Sequence, residues 1–160
     1  MSLEYEGFAM AYIYYLTHIH LDFGAASMLP SECERIGMRR PLIVTDAGVR
    51  AAGVLAQAQQ ALGALPHAVF DGTPSNPTEA AVRNAKAVFE AQGCDGLIAV
   101  GGGSSIDLAK GLAIAATHEG PLTRYATIEG GSGLADAAWF AERFAAAGMD
   151  FLSTSRGGKF

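Results

Sequence analysis

Three consecutive glycines followed by two serines are the residues of this sequence best suited to bind an anion. Gly101, Gly102 and Gly103 precede Ser104 and Ser105, and the whole run follows a short apolar stretch. Glycine has no Cβ, so the backbone here can approach a bound phosphate closely. A helix that begins at this point would aim free N–H groups and its positive dipole end at the same phosphate. The run predicts a phosphate-binding loop in which Ser104 or Ser105 caps the helix and donates to phosphate; a tight turn without a ligand is the alternative.

Two common phosphate-binding motifs do not fit this run. The P-loop ends in Lys followed by Ser or Thr, whereas this sequence continues with Ile106, Asp107 and Leu108. The Rossmann fingerprint follows the first strand and has an acidic residue downstream. Here the acidic residue at a strand end, Asp46, comes before the glycines. The reversed order indicates a different dinucleotide-binding fold.

Two aspartates each have two possible roles. Asp46 ends an apolar run, and its carboxylate could accept hydrogen bonds from a ribose diol, which favours NAD over NADP because a 2′-phosphate would meet negative charge. It could equally cap the helix that begins at Ala47. Asp107 is expected in the first turn of a helix beginning at Ile106, where it would complement the helix dipole and pair weakly with Lys110. The local sequence leaves the roles of both aspartates open.

The elements that position these residues alternate between strand and helix. Three short apolar runs predict strands, at residues 41–46, 68–71 and 95–100. The first shows no polar alternation, and we expect the first and third strands to be covered on both faces. Three Ala-rich stretches predict helices, at residues 47–65, 78–92 and 106–117. The first is expected to end near Gly63 and the second to be capped by Thr78, and Ser31 can cap a short helix before the first strand. This alternation is typical of an α/β fold with a parallel sheet and right-handed crossovers. Ligands bind at the carboxyl ends of such strands, where Asp46, the loop around Asn76 and the glycine loop all lie.

The two ends of the chain carry weaker signals. Residues 12–23 are rich in Tyr, Ile, Thr and His and predict an extended segment in which His18 and His20 share a face. A metal site would need a third ligand, so packed or surface histidines are the favoured interpretation. We predict an α/β dinucleotide-binding domain over residues 1–130 and a tail with one short helix over residues 131–160.

Composition excludes several classes of function. The 160 residues suffice for one α/β domain and are too few for two. A formal net charge of −5 argues against a nucleic-acid partner, and the apolar segment near the start is too short to span a bilayer. Cys33 and Cys94 are far apart and predict free thiols in a reducing compartment. We therefore expect a cytoplasmic protein that binds neither nucleic acid nor a membrane.

Four segments, in order along the chain, resemble the iron-containing (group III) alcohol dehydrogenases. They are residues 17–27, 42–46, 75–78 and 101–110, the last of which reads Gly-Gly-Gly-Ser-Ser-Ile-Asp-Leu-Ala-Lys. The resemblance implies a Rossmann-like, NAD-dependent oxidoreductase that interconverts an alcohol and an aldehyde or ketone by hydride transfer. It also implies a divalent metal, usually iron, that polarises the alcohol oxygen. A lyase of the dehydroquinate synthase type shares the glycine loop and is the weaker alternative, because residues 76–78 match the alcohol dehydrogenases.

The resemblance also assigns cofactor-binding roles to single positions. Gly102, Gly103 and Ser104 match the family's pyrophosphate ligands, and Asp46 matches its ribose-binding aspartate. Asn76 and Asp107 match family residues that lie on the cofactor side. With the rest of the loop, the predicted cofactor-binding set is Asp46, Asn76, Gly101, Gly102, Gly103, Ser104, Ser105 and Asp107. The sequence identifies no catalytic residue.

Residues 134–160 cannot be aligned with this family. The family's C-terminal all-helical domain, with its metal ligands of one Asp and three His, has no counterpart in the sequence. We therefore expect a truncated or rearranged family member that holds NAD, assembles as a homo-oligomer and does not oxidise a small alcohol alone. A nucleotide-binding module without chemistry is the alternative.

Overall fold

A parallel sheet of three short strands organises the part of the chain that the structure describes. The structure is a computed structural model, and it describes residues 19–125. Strands β1 (Pro41–Val44), β2 (Ala68–Phe70) and β3 (Gly96–Ala99) lie in the order β2-β1-β3, and both pairs are parallel. The predicted α/β fold with a parallel sheet is confirmed. The predicted tail over residues 131–160 lies outside the described residues.

Helices follow each strand along the chain. Within residues 19–125 the α-helices are α1 (Leu29–Arg35), α2 (Ala47–Ala51), α3 (Val54–Leu62), α4 (Glu79–Ala91) and α5 (Gly103–Thr117). Two 3₁₀ turns, Ala25–Met28 and Leu122–Tyr125, lie at the two ends of this range. None of these helices combines the length and apolar character needed to cross a bilayer.

The central strand separates two apolar clusters. Every residue of β1 is buried. Leu42 and Val44 pack on one face against residues of α4 and α5. Ile43 packs on the other face with Leu55 and Leu62 of α3. Helices on both faces explain why this run shows no polar alternation, as is usual for a parallel strand.

Strand β3 is less covered than its sequence suggests. Leu97 joins the first cluster and Ile98 the second, so both faces meet apolar neighbours. Its residues are nevertheless only half-buried, and Ala99 is exposed. Among the described strands β3 lies at the edge of the sheet, and this position accounts for the difference.

The prediction of one long helix over residues 47–65 is wrong, because the structure has two helices there, α2 and α3. Gly53 separates them with φ 79°, a left-handed conformation that glycine adopts readily. The expected helix end near Gly63 is confirmed, since Gly63 is the C-cap of α3. Thr78 caps α4 as predicted, by accepting a hydrogen bond from the N–H of Ala81.

Two local predictions near the start of the described range are also wrong. Residues 19–23 form irregular backbone and a turn instead of a strand, and residues 12–18 lie outside the described residues. Ser31 lies within α1 and not at its N-cap. Its Oγ donates a hydrogen bond to the carbonyl of Met28 at 2.9 Å.

Both cysteines lie in the interior of the fold. Cys33 and Cys94 are free thiols, as expected, and both are buried. Burial raises the pKa of each thiol above its ordinary value.

Gly53→Ala should lower the free energy of unfolding by about 1–2 kcal/mol, because an added Cβ is unfavourable at a left-handed φ. The space around Gly53 is open, so the loss measures the backbone conformation alone. Urea denaturation measures this loss. Gly53→Asn is the control and should lose less, since asparagine tolerates this conformation. Wild-type stability in the alanine variant would contradict the expectation.

Candidate functional site

Three loops meet at the carboxyl edge of the sheet. Asp46 follows β1, residues 71–78 follow β2, and the glycine loop follows β3. The backbone of Asp46 forms an isolated bridge with Gly72. Ser104 Oγ donates to the carbonyl of Ser75 at 2.5 Å, and Ser105 Oγ donates to Asp46 Oδ2 at 3.4 Å. The structure therefore brings together the three segments that the sequence placed at strand ends.

The site lies where the chain reverses its direction across the sheet. From β1 the chain passes to β2 on one side and then to β3 on the other. In open α/β sheets, ligands bind in the crevice beyond the strand ends at such a point. Two hydrogen bonds join the strand ends here, from Thr45 Oγ1 to the Val100 carbonyl at 2.7 Å and from the Val100 N–H to the Val44 carbonyl at 2.9 Å.

Gly101 is required by the fold itself. Its φ is 142°, a conformation that residues with a Cβ rarely adopt. A Cβ at this position would lie 2.7 Å from Ser105 Oγ and 3.2 Å from Val49 Cγ2. The first glycine of the loop is thus explained by internal packing and backbone conformation.

Gly102 and Gly103 have no such internal explanation. A Cβ added to either would meet no atom within 4 Å, and neither has a left-handed φ. Gly102 is the N-cap of α5 and has no side-chain cap. The first helical bond in this turn comes from the N–H of Ile106, so the three N–H groups before it have no acceptor in the helix. Exposed backbone without side chains at a helix start is what a bound phosphate would need.

Neither Ser104 nor Ser105 caps α5, so the predicted serine cap is wrong. The helix begins at Gly103, so Ser104 and Ser105 lie inside its first turn. Their hydroxyls donate to the Ser75 carbonyl and to the Asp46 carboxylate. Ser105 is fully buried. Both hydroxyls therefore fasten the glycine loop to the two neighbouring loops.

Asp46 acts as a helix cap in the structure. Its Oδ1 accepts a hydrogen bond from the N–H of Val49 at 2.9 Å, at the start of α2. Its Oδ2 accepts the long hydrogen bond from Ser105. Two carboxylate oxygens offer about four lone-pair sites, and Asp46 is only half-buried. Capping therefore leaves acceptor capacity for a ribose diol, and that role stays a prediction.

Asp107 lies further along α5 than the sequence predicted. Because the helix begins at Gly103, Asp107 falls beyond its first turn, and the expected dipole role is wrong. The expected pair is confirmed, since Lys110 Nζ lies 3.5 Å from Asp107 Oδ1. Exposed Asn76 belongs to the neighbouring loop. Asp107 also lines an open depression of about 380 Å³, together with Pro77, Thr78, Glu79, Val82, Leu122 and Thr123.

Sequence reasoning missed three polar residues at this edge. The hydroxyl of Thr73 is buried and has no hydrogen-bond partner within the described residues. Arg50 of α2 forms an ion pair with Asp71, which follows β2. None of the three belongs to a motif, so only the folded arrangement identifies them.

The histidine pair of the sequence gives no metal site in the described range. His20 Nε2 lies 3.0 Å from Glu32 Oε1, and His18 lies outside the described residues. Across residues 19–125, no group of three or more His, Cys, Asp or Glu side chains could hold a metal ion.

Comparison with known proteins gives one consistent result. The family model described as iron-containing alcohol dehydrogenase matches residues 17–139. The match therefore extends into residues 134–139, so the expectation that no part of residues 134–160 aligns with the family is wrong for these positions. The chain is 74% identical over 123 residues to 4-hydroxybutyrate dehydrogenase of Cupriavidus necator, a match that covers 77% of this chain and 32% of that protein. It is 42% identical over 109 residues to 1,3-propanediol dehydrogenase of Klebsiella pneumoniae, covering 66% and 28%. The chain thus spans about a third of the length of these relatives.

A solved structure supports the same fold. NADH-dependent butanol dehydrogenase A from Thermotoga maritima superimposes with a TM-score of 0.64 at 25% sequence identity. The superposition covers 72% of this chain and 30% of that one. The described α/β unit therefore corresponds to one part of a larger fold in that enzyme.

Alanine at Gly101 and at Gly103 should affect stability in opposite ways. Gly101→Ala should lower the free energy of unfolding by about 2 kcal/mol, because it adds strain and a clash with Ser105. Gly103→Ala should leave it unchanged or raise it by up to about 1 kcal/mol, since alanine favours the helix. Chemical denaturation of both variants tests this. A similar loss in both would refute the distinction between the two glycines.

Thr73→Val should raise the free energy of unfolding by about 1 kcal/mol, because it removes a buried hydroxyl without a partner. Thr45→Val is the matched control. Its hydroxyl donates to Val100, so the same exchange should lower stability by about 1 kcal/mol. Thermal and urea denaturation measure both changes, and a loss of stability in Thr73→Val would overturn the assignment.

Proposed function

Because the chain belongs to the iron-containing alcohol dehydrogenase family, we propose that its α/β unit binds NAD(H) within an oxidoreductase that interconverts an alcohol and an aldehyde or ketone. One observation carries the proposal. Gly102 and Gly103 expose backbone at the start of α5 where nothing in the described chain requires glycine. Bound NAD would supply the hydride acceptor for alcohol oxidation.

The N-terminus of α5 is the proposed pyrophosphate site. The N–H groups of Gly103, Ser104 and Ser105 precede the first helical hydrogen bond, and the helix dipole favours an anion there. Such a site needs no Lys or Arg, which agrees with a chain of net charge −5. Gly101 sets the turn, and the two serine hydroxyls hold the loop in place.

Asp46 is the proposed ligand of the adenosine ribose. Its carboxylate lies at the end of β1 beside the glycine loop, where it can accept hydrogen bonds from a diol. The same negative charge would repel a 2′-phosphate, so we propose NAD(H) over NADP(H). Asn76 and Asp107 lie on the two segments that border the open depression, and we propose that they face the cofactor.

The names of the relatives favour a short primary alcohol as the substrate of the enzyme. 4-Hydroxybutyrate and 1,3-propanediol both carry a terminal hydroxyl and a second oxygen-containing group. We propose 4-hydroxybutyrate first, since its dehydrogenase shares more sequence with this chain. We also propose a cytoplasmic homo-oligomer. Residues 19–125 contain no group of side chains that fits the family's iron.

Gly102→Val should weaken NADH binding by at least about tenfold, because a branched side chain would fill the space proposed for phosphate. The experiment titrates the 160-residue chain with NADH, read by calorimetry. Ala116→Val is the matched control, since it places the same side chain at an exposed position near the other end of α5. The control should bind as the wild type does. Absence of NADH binding by the folded wild type, or equal binding by Gly102→Val, would refute the proposal.

A further inference from the structure

An ion pair lies on the rim of the proposed ribose site. Arg50 Nη1 contacts Asp71 Oδ2, and the two side chains are 61% and 39% exposed. An ion pair this exposed contributes little to stability, typically below about 1 kcal/mol. Its position beside Asp46 is therefore more informative than its strength.

Both members of the pair are tied to Asp46 through the backbone. Arg50 lies one helical turn after Asp46 in α2 and donates its N–H to the Asp46 carbonyl at 3.0 Å. Asp71 precedes Gly72, whose backbone bridges to Asp46. The ion pair therefore joins two elements whose backbones both contact Asp46, the proposed ribose ligand.

These side chains have opposite consequences for a cofactor. A carboxylate at the end of this strand suits the ribose diol of NAD, whereas a nearby arginine can hold the 2′-phosphate of NADP. The guanidinium of Arg50 is well suited to bind phosphate with two hydrogen bonds. Asp46 alone therefore does not decide between the two cofactors in this chain.

We infer that Asp71 is a specificity-determining residue, which pairs with Arg50 and so keeps its guanidinium from receiving a 2′-phosphate. The inference rests on the proposed function. Asp46, Asp71 and Arg50 together carry two negative charges and one positive charge, so the rim has a net charge of −1. Without the Asp71 carboxylate the rim is neutral and the guanidinium of Arg50 can turn to the ribose. Asp71 thus adds to the discrimination that Asp46 provides.

The test compares the dissociation constants of NADH and NADPH for the 160-residue chain and for Asp71→Asn. NADPH should bind about tenfold more tightly to the variant, while the NADH constant changes by less than about twofold. The gain should shrink at higher ionic strength, because exposed charges are screened by salt. Asp71→Ser should show the same gain in NADPH binding, which would exclude an effect specific to the side-chain amide of asparagine.

Two further variants isolate the pair. Arg50→Gln added to Asp71→Asn should abolish the gain in NADPH binding. Glu90→Gln is the matched control, because it removes a carboxylate from the exposed Glu90, which pairs with Lys86 near the end of α4. The end of α4 precedes the start of β3, so it lies away from the carboxyl ends of the strands. This variant should leave the preference unchanged.

Each outcome has one meaning. NADH binding with an unchanged preference in Asp71→Asn and Asp71→Ser overturns the inference and leaves the proposed function intact. A gain that persists without Arg50, or that also follows Glu90→Gln, overturns it as well, since general charge would then suffice. A folded wild-type chain that binds neither cofactor refutes the proposed function, and the inference fails with it.

Discussion

The hydrogen bonds of one buried residue, Thr45, hold the whole site together. Its N–H donates to the Phe70 carbonyl at 2.9 Å, its carbonyl accepts from the Thr73 N–H at 3.3 Å, and its hydroxyl donates to the Val100 carbonyl at 2.7 Å. The residue is fully buried, so each of these groups would be costly to leave unpaired. Thr45 thereby links the ends of all three strands. The positions of Asp46, the loop after β2 and the glycine loop all follow from it.

The glycine loop divides into a structural part and an open part. Gly101 has a backbone conformation and close neighbours that exclude a side chain, whereas Gly102 and Gly103 face open space. A run of identical residues in the sequence thus serves two different physical purposes. The chain belongs to the iron-containing alcohol dehydrogenase family, and under the proposed function the open part is where a dinucleotide would approach the backbone.

Much of the fold could be predicted from local pattern, and the errors have physical causes. The buried run of β1 and the Thr78 cap of α4 are local features, and both predictions are confirmed. The sequence does not reveal the break at Gly53, because the Ala-rich residues on both sides favour helix and a single glycine within a helical run does not always end the helix. The sequence predicts the start of α5 too late, because glycine is a poor helix former, although it is tolerated at a helix start.

The details of the site were harder to predict, because its contacts join distant parts of the chain. Ser104 and Ser105 were expected at the helix cap, yet their partners lie 29 and 59 residues away. Arg50 and Asp71 are separated by 21 residues and belong to no motif. The sequence leaves Asp46 with two possible roles, and the structure establishes the cap. Side-chain pairing between loops depends on strand order, which a single sequence does not specify.

The short helix α2 has a consequence for the motions of this edge. It has only five residues and buries none of them, so little apolar packing holds it in place. Its helical state depends on the Asp46 cap and on its attachment to the neighbouring loop. Segments with so few buried contacts open at the lowest free-energy cost, and their amides exchange hydrogen with solvent first. A ligand that engages Asp46 would restrain this opening, so amide protection of residues 47–51 would report occupancy of the site without any enzymatic assay.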